Sequence, residues 1–375
     1  MTSPEPDLAV FVAETRTGRV LWNGIPISSV PRAGYRINTE GSLAFSVPMS
    51  AAFSKTQIVD FLYPWKYSFG VRFGSFIIQY GPLVTHPSYD AEAETWEFTC
   101  AGLWKFFNTK RILRVTKDCT GLSSNDIFRK LLADDLAQTN GDLPVDLPGN
   151  NGLGGVGQVF EGAKISYIGE LLRDQTDDGN NPLECEFRPY FPDTTVMDYV
   201  RHRVDLKPYL GTQTRAYQWT NNQGSLIVAA PEGGGDRIAD IYIVPGQSSG
   251  ADLRYGLQQA VGGDALAAQG WPLMYDLDGT HSSVSDQVVL QGYANGNWIA
   301  FHNGPRTISA RVRINPPEGR GPRIGEWTLG DLGRFQVAGY LGVPDGAYVA
   351  RILGVDLVSL EDIELELMLI SEVLA

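Results

Sequence analysis

A regular alternation near the C-terminus constrains the fold of this chain more than any other feature. Over residues 361–370 an apolar residue recurs at every second position. The recurring positions are Ile363, Leu365, Leu367 and Leu369, with Glu364 and Glu366 between them. A period of two is typical of a half-buried antiparallel strand. Segments 325–337 and 348–357 also fit strands, so we predict that a structural β-domain closes the chain.

Length and composition indicate several domains rich in strands. A chain of 375 residues exceeds what one hydrophobic core usually serves, so two or three domains are expected. The 42 glycines and 22 prolines suit short strands joined by tight turns. We therefore predict a mainly β protein with a helical section.

The charge balance argues against specific nucleic-acid binding. The net charge is −13, and no run of Lys or Arg is longer than a pair. A nucleic-acid-binding protein normally carries a basic patch. An acidic surface would instead keep passing DNA from sticking.

Cysteine usage and hydropathy indicate a protein made and folded in a cytoplasm. Cys100, Cys119 and Cys185 are widely spaced, which supports neither a disulfide framework nor a zinc site. The N-terminus lacks the basic region of a signal peptide. No apolar run approaches the roughly 18 residues of a membrane span.

The hydrophobic pattern divides the chain into three parts. Residues 8–115 read as strands that end in a helix-like stretch over 101–112. Ser123 opens a cluster of capping residues before a helix that ends at Leu136, and a second helix is predicted over 165–175. The remainder is again mainly β, with one helix predicted over 283–298.

A glycine-rich motif, GxGxxG, occupies residues 152–157. Dinucleotide binding through this motif needs a strand before it and a helix N-terminus after it. Neither is predicted here, because the motif lies within the stretch 139–162, which is rich in Gly, Asn and Pro. We interpret that stretch as a long loop that is either functional or mobile.

A second motif, GxSxG, occupies residues 246–250 and follows a predicted strand. A hydrolase would also need a helix after Ser248, and then an acid and a histidine such as His281 or His302. The surrounding sequence reads as antiparallel β and not as the alternating α/β pattern that presents such a serine. A polar loop is the better interpretation.

The remaining motifs predict no metal or catalytic site. Asp276 begins a calcium-like loop, but its glycine comes too early and Gln287 stands in place of the bidentate glutamate. The four histidines are far apart, which favours turn or surface roles: His86, His202, His281 and His302. Three carboxylate pairs are read as solvated faces: 134/135, 177/178 and 361/362.

The eight tryptophans are spread through every segment, which favours core roles over a sugar-stacking platform. They are Trp22, Trp65, Trp96, Trp104, Trp219, Trp271, Trp298 and Trp327. We therefore predict no catalytic, cofactor-binding or metal site, no cofactor and no enzymatic activity.

The order of segments resembles one protein family. In the first half of the chain the resemblance is carried by segments 81–85, 96–103 and 109–113. Two predicted helices and segment 186–189 follow, and Gly330-Asp331 then precedes the closing strands. In this order they are similar to minor tail proteins of long-tailed phages of actinobacteria. That group is itself similar to the baseplate hub of contractile phages.

The resemblance implies a definite architecture. Two similar β-barrel-like tube domains, 1–117 and 216–375, would flank a helix-containing α+β domain, 118–215, at the periphery. Three copies would form a pseudo-hexameric ring that continues the tail tube of a siphovirus.

The resemblance also implies a function, that of a structural virion protein at the tail tip. Such a hub adaptor joins the tail tube or its distal ring to the fibre or spike and encloses the DNA channel. The implied partners are the distal tail protein, the tape-measure protein and other minor tail or fibre proteins, while genome DNA passes without specific binding. We expect synthesis in the host cytoplasm, and an adaptor without a C-terminal enzyme domain because the sequence stops at Ala375.

Two alternatives remain open. The chain could be the distal tail protein, which forms a hexameric ring, and the copy number per virion separates three from six. It could also be a receptor protein that binds or cleaves cell-wall carbohydrate, which glycan binding or hydrolysis by the isolated protein would show.

Overall fold

The computed structural model describes residues 8–49, 58–150, 152, 154–155, 157–176, 183–214, 216–232, 237–247, 254–259, 265–281, 284–301, 307–339 and 345–374. The first eight strands are β1 Leu8–Glu14, β2 Val20–Ile25, β3 Arg32–Arg36, β4 Ser42–Pro48, β5 Tyr67–Phe73, β6 Phe76–Pro82, β7 Ser88–Asp90 and β8 Thr95–Ala101.

In the described middle of the chain there are three α-helices and five strands. In chain order they are α1 Leu103–Thr109, β9 Lys117–Asp118, α2 Ser124–Leu136, β10 Val145–Asp146, β11 Val159–Phe160, α3 Ile168–Thr176, β12 Glu184–Tyr190 and β13 Arg201–Lys207.

The last part of the chain is again mainly β. Its elements are β14 Ala216–Thr220, β15 Leu226–Glu232, β16 Ile241–Pro245, β17 Tyr255–Gln259, β18 Tyr275–Leu277, α4 Gln287–Phe301, β19 Thr307–Arg313, β20 Leu332–Val337, β21 Gly346–Leu357 and β22 Asp362–Leu374.

Two large sheets form the body of the molecule. One has the order β2-β1-β5-β6. The other has ten strands, with the path β15-β19-β22-β21-β3-β4-β8-β7 and with β20 and β14 branching from β21. The prediction of a mainly β fold with a helix-containing part is confirmed.

The N-terminal and C-terminal strands meet directly. Strand β21 pairs with β3, with Val355 opposite Tyr35 and Gly354 opposite Arg36. Arg36 also donates to Glu366 at 2.5 Å and to Asp356 at 2.5 Å. One hydrophobic core accordingly includes side chains from both ends of the chain. Because β3 and β21 also belong to one sheet, these strands form a single structural body.

Separate small cores stabilise the other parts. The helix-containing part, which comprises helices α1, α2 and α3 with strands β9 to β13, has its own core, and this core includes Trp104, Phe128 and Leu172. A third cluster packs Phe11 of β1 against Phe191 and Val200. The domain boundaries at 117 and 215 stay a prediction.

The closing strand forms as the alternation predicts. In β22 Ile363, Leu365 and Leu367 are buried, whereas Leu369 is only partly buried. The segment before β20 departs from the prediction of a strand over 325–337. Residues 325–331 form turns, because the Asp331 carboxylate accepts hydrogen bonds from the backbone N–H and the hydroxyl of Thr328.

The predicted helices form with shifted ends. The Ser123 hydroxyl accepts from the Asp126 N–H and caps α2. Helix α3 starts later than predicted, because residues 162–164 form a 3-10 turn and Ile165 has a left-handed φ of 50°. Helix α4 starts at Gln287, where the Asp286 carboxylate accepts from the Val288 N–H at 2.8 Å.

Candidate assembly interfaces and buried clusters

The glycine-rich motif packs against neighbouring backbone. The Gly155 N–H donates to the Gly121 carbonyl at 3.1 Å, and the Gly157 N–H donates to the Leu122 carbonyl at 3.2 Å. A Cβ at Gly157 would lie 2.0 Å from the Cys119 carbonyl oxygen. These glycines therefore permit close backbone approach, and their amides bond to carbonyls instead of facing a phosphate. Residues 151, 153 and 156 lie outside the described residues.

The GxSxG motif is described only in part. Strand β16 precedes it and pairs antiparallel with β17. The Gly246 N–H donates to the Arg254 carbonyl at 2.8 Å. Residues 248–250 and 302 lie outside the described part of the chain. His281 stacks on Tyr293 with ring centroids 3.6 Å apart.

The calcium-like segment is held by protein groups. Asp276 forms a salt bridge with Arg237 at 2.8 Å. Asp278 accepts from the Thr280 N–H at 3.1 Å and from the Asn297 amide at 3.0 Å. Across the described ranges, no three His, Cys, Asp or Glu side chains lie together as a metal site would require.

Two of the carboxylates expected on solvated faces are buried instead. Asp135 lies 3.4 Å from Arg111, and burial raises the pKa of its carboxyl group. Asp362 accepts from the Arg311 guanidinium at 2.8 Å. The interpretation as solvated faces is wrong at these two positions, because each carboxylate forms an ion pair beneath the surface. Asp177 and Asp178 lie outside the described residues.

The three cysteines are free and buried. Burial raises the pKa of the Cys100, Cys119 and Cys185 thiols. Among the tryptophans, Trp104, Trp219 and Trp327 are fully buried. Trp271 differs from the expected core role, because it is half exposed.

A buried ion pair joins the helix-containing part to the closing sheet. Arg351 of β21 is 4% exposed and donates to Glu184 of β12 at 2.5 Å. The same guanidinium donates to the Leu210 carbonyl at 3.0 Å and to the Gly330 carbonyl at 3.2 Å. The Leu210 N–H in turn donates to the Glu184 carboxylate at 2.7 Å. This network satisfies both charges, so it fixes β12 relative to β21.

The Gly330-Asp331 segment belongs to the same junction. The buried Asp331 carboxylate accepts from the Thr212 N–H at 2.5 Å. Gly330 has a φ of +84°, and a Cβ there would lie 2.1 Å from the Leu210 carbonyl oxygen. Glycine is thus required where residues 208–214 cross the start of β20. Gly330 can be singled out in the sequence, but its close approach to Leu210, 120 residues earlier, is visible only in the fold.

The turn between β3 and β4 forms a second junction. Asn38 has a left-handed φ of 58°. Its side-chain oxygen accepts from the Cys185 N–H at 2.7 Å, and its own N–H donates to the Cys185 carbonyl at 3.1 Å. Its side-chain amide donates to the Leu183 carbonyl at 3.2 Å. Asn38 therefore binds the edge of β12 much as another strand would.

A small cleft lies between these junctions. It is lined by Tyr35, Gln79, Trp104, Glu186 and Arg188, among others, and its volume is about 30 Å³. Small-molecule sites usually span roughly 300–1,000 Å³, so this cleft is too small for such a ligand. It is a packing defect that a water molecule can fill. Burial raises the pKa of Glu186 to about 7.

One histidine is a core residue. His202 of β13 is 2% exposed, and its ring lies 5.3 Å from that of Tyr80. Burial lowers the pKa of His202 to about 4, which keeps the ring neutral. The expectation of a turn or surface role is wrong for His202. Its neighbours at every second position, Val204 and Leu206, are the signal that would have placed it inside.

The arrangement of these clusters is suited to holding elements together. Arg351, Glu184, Asn38 and Asp331 each form hydrogen bonds between segments that lie far apart in the sequence. Among the described helices, none is long and apolar enough to span a membrane.

The fold recurs in solved structures of phage tail proteins. The 43 kDa tail protein of prophage MuSo2 from Shewanella oneidensis matches 96% of this chain and 98% of its own, at TM-score 0.57 and 11% identity. The tail protein from Neisseria meningitidis MC58 matches 96% of each chain, at TM-score 0.57 and 13% identity. Prophage tail protein gp18 from Listeria monocytogenes EGD-e matches 96% of this chain and 94% of its own, at TM-score 0.50 and 11% identity.

These similarities establish the fold. No protein-family model matches the chain, and no curated protein matches its sequence. The chain has the β-rich fold of phage tail proteins over nearly its whole length. The fold implied by the resemblance is confirmed, and an origin among phages of actinobacteria stays a prediction.

Proposed function

We propose that this protein is a structural component of a phage virion, a hub adaptor at the tail tip. It would join the tail tube or its distal ring to the fibre or spike and enclose the DNA channel. The observation that carries the proposal is the end-to-end match to two tail proteins, which spans 96% of this chain and 98% and 96% of theirs. Both β regions and the helix-containing part are included, so the match is to a complete architecture.

The internal junctions support a load-transmitting role. The β3–β21 pairing and the Arg36 ion pairs make the two β regions one body. The Arg351–Glu184 pair and Asn38 attach the helix-containing part to that body. An adaptor between tube and fibre needs such rigidity, because force must pass through it without deforming the channel wall.

The proposal extends to assembly and partners. Three copies would form a ring from segments 1–117 and 216–375, with 118–215 outside. The ring would contact the distal tail protein, the tape-measure protein and fibre proteins. The net charge of −13 favours free passage of genome DNA.

Cryo-electron microscopy of the intact virion tests this function. We expect three copies of the chain at the tail tip, with the β body around the channel. Six copies in the distal ring would contradict the hub and favour the distal tail protein. Absence of the chain from purified particles would reject a virion role altogether. Hydrolysis of host cell-wall glycan by the purified protein would reject the non-enzymatic role.

A further inference from the structure

Residues 98–117 carry a local excess of positive charge in an acidic chain. The stretch contains basic residues and no acidic one, whereas the whole chain has a net charge of −13. Lys105, Arg111 and Lys117 form salt bridges at 3.2, 3.4 and 2.8 Å. The other two basic residues, Lys110 and Arg114, are exposed and form no ion pair with a described carboxylate. The fold therefore leaves part of this charge uncompensated.

Aromatic rings position Lys110 at the end of α1. Its ammonium nitrogen Nζ lies 4.6 Å from the centroid of the Trp65 ring. The Trp65 ring in turn lies 5.9 Å from that of Phe106 on α1. A cation over the face of an aromatic ring is attracted by the ring quadrupole, and tryptophan attracts it most strongly. Lys110 is thus restrained although no described carboxylate binds it.

The backbone of Trp65 adopts a conformation that is unusual for so large a residue. Its φ is 65°, in the left-handed region. The Trp65 N–H donates to the Leu83 carbonyl at 2.8 Å, which helps to hold this conformation. The strained turn brings the indole ring against α1, beneath Lys110. Backbone strain of this kind is concentrated at functional sites.

The next residue, Lys66, is a second cation held by rings. Its Nζ lies 5.5 Å from the centroid of Tyr63 and 5.0 Å from that of Tyr67. Tyr63 is 54% exposed, so this cation faces solvent. Glu14 forms no salt bridge with Lys66, and its carboxylate accepts from the Thr17 hydroxyl at 2.7 Å. We define the basic–aromatic patch as Tyr63, Trp65, Lys66, Phe106 and Lys110.

The chemistry of the patch favours carboxylates on a polypeptide. Two restrained ammonium groups are compact charges with free donors, which suit carboxylate oxygens. Nucleic acid would need open ring faces on which its bases stack, but an ammonium group lies over each of the rings of Tyr63, Tyr67 and Trp65. The net charge of −13 also repels a densely charged phosphate chain more than a segment with a few carboxylates.

The carboxylates of this chain do not fill the patch. An acidic hairpin tip with Asp90, Glu92 and Glu94 precedes β8, whereas α1 follows it. The seven residues of β8 span roughly 20 Å, so the hairpin lies at the far end of that strand. A second copy is opposed by the repulsion between two chains of charge −13. A protein that is acidic only locally meets no such repulsion.

We propose that the basic–aromatic patch binds a carboxylate-rich segment of another protein of the tail. The ammonium groups of Lys66 and Lys110 would donate to its carboxylates. Because the rings restrain both lysines before binding, less conformational entropy is lost on association. That the partner belongs to the tail rests on the proposed function, whereas affinity for acidic polypeptide is a property of the free protein.

Fluorescence anisotropy of the free protein tests the chemistry. The probes are a labelled peptide of alternating glutamate and glycine, its glutamine counterpart, and a single-stranded oligonucleotide of equal charge. We expect binding of the glutamate peptide, weakened by salt, and much weaker binding of the other two. The double variant Lys66→Gln, Lys110→Gln should raise the dissociation constant at least tenfold.

A second double variant is the matched control. Lys207→Gln with Arg334→Gln removes two exposed cations outside the patch and changes the net charge equally. It should leave the dissociation constant within a factor of two. Equal losses in both double variants would overturn the proposal, as would an oligonucleotide that binds as tightly as the glutamate peptide.

Carbodiimide cross-linking of intact virions tests the partner, because it joins an amine to a carboxylate in direct contact. Mass spectrometry should find Lys66 or Lys110 joined to a carboxylate of another tail protein. Lys105–Glu40 and Lys117–Asp134 are internal controls, since these ion pairs should cross-link in the same sample.

Two results of the cross-linking would overturn the proposed partner. One is cross-linked controls without any product from the patch, and the other is a patch joined to a second copy of this chain. Absence of the chain from virions would reject the hub function and the tail partner together, but not the affinity of the free protein for acidic polypeptide.

Discussion

His202 lies inside the protein in a neutral form, which makes stability depend on acid. Its pKa is about 4 in the folded chain, against about 6.5 in an unfolded chain. As pH falls from 6.5 to 4, His202 binds a proton in the unfolded chain but stays neutral in the folded chain. The free energy of unfolding should therefore fall by about 3 kcal/mol over that window. His202→Leu should remove this loss, measured by urea unfolding at pH 7 and pH 4.5, whereas His86→Leu at an exposed site should retain it.

Glu186 acts in the opposite direction. Burial raises the pKa of its carboxyl group to about 7, against about 4.3 when unfolded. The Glu186 carboxyl group keeps its proton to higher pH in the folded chain than in the unfolded chain. Its contribution to the free energy of unfolding is therefore complete below pH 4 and falls by up to about 3 kcal/mol as pH rises to 7. Glu186→Gln should stabilise the protein at pH 8 and change little at pH 4. Glu170→Gln, at an exposed glutamate, is the control; equal effects of both would show that burial is not the cause.

At the scale of single elements, the turn between β3 and β4 combines two requirements. Asn38 needs a left-handed φ, and its side chain bonds to β12. Asn38→Gly keeps the backbone conformation and loses the side-chain bonds, so we expect a loss of about 1–2 kcal/mol in urea unfolding. Asn38→Ala should lose about 1 kcal/mol more, because alanine is strained at positive φ. Asn140→Gly, at an exposed asparagine with a φ of 59°, should be nearly neutral. If it costs as much, the loss at Asn38 does not come from the bonds to β12.

Elements with a strong apolar period could be predicted from the sequence, and those with few apolar residues could not. Strand β22 and helix α2 form where their patterns indicate. Strand β13 also alternates, with charged residues at 201, 203, 205 and 207, but only Val204 and Leu206 of its inward residues are apolar, which makes its signal weak. Strand β3 has only five residues, including two arginines and a glycine, so its apolar pattern is too weak to predict a strand. It forms because it pairs with β4 and β21. Pairing partners far along the chain decide such strands, and one sequence does not display them.

The residues that form the junctions could not be predicted from the sequence for the same physical reason. Glu184 and Arg351 are 167 positions apart, and in the sequence each looks like an ordinary charged surface residue. Asp362, expected on a solvated face, is buried beside Arg311 of the adjacent strand β19. Asp331, in a segment expected to be a strand, accepts a hydrogen bond from the Thr212 N–H. The sheet β17-β16-β18 shows the converse, because Leu257, Tyr275 and Leu277 alternate as core residues do and are exposed in the fold.

On the scale of the whole molecule, the Arg351–Glu184 pair should decide whether the helix-containing part and the closing sheet unfold together. Removing one partner leaves a buried charge, which typically costs 3–5 kcal/mol. Arg351→Met and Glu184→Met should each lower the unfolding temperature and separate calorimetric transitions that coincide in the wild type. The double variant should recover most of the loss, because no charge is then stranded.

The exposed pair between Arg313, at the end of β19, and Glu361, just before β22, provides the matched control. Arg313→Met should cost less than about 1 kcal/mol and leave the transitions together, since solvent screens an exposed pair. If the double variant is as unstable as the single variants, an unpaired buried charge is not the cause of the loss. The hydrogen bonds from Arg351 to Leu210 and Gly330 would then be what holds the two parts together. In either case Arg351 is one of the contacts that fix the helix-containing part, together with Asn38 and the Asp331–Thr212 hydrogen bond, so its loss should loosen that part relative to the β body.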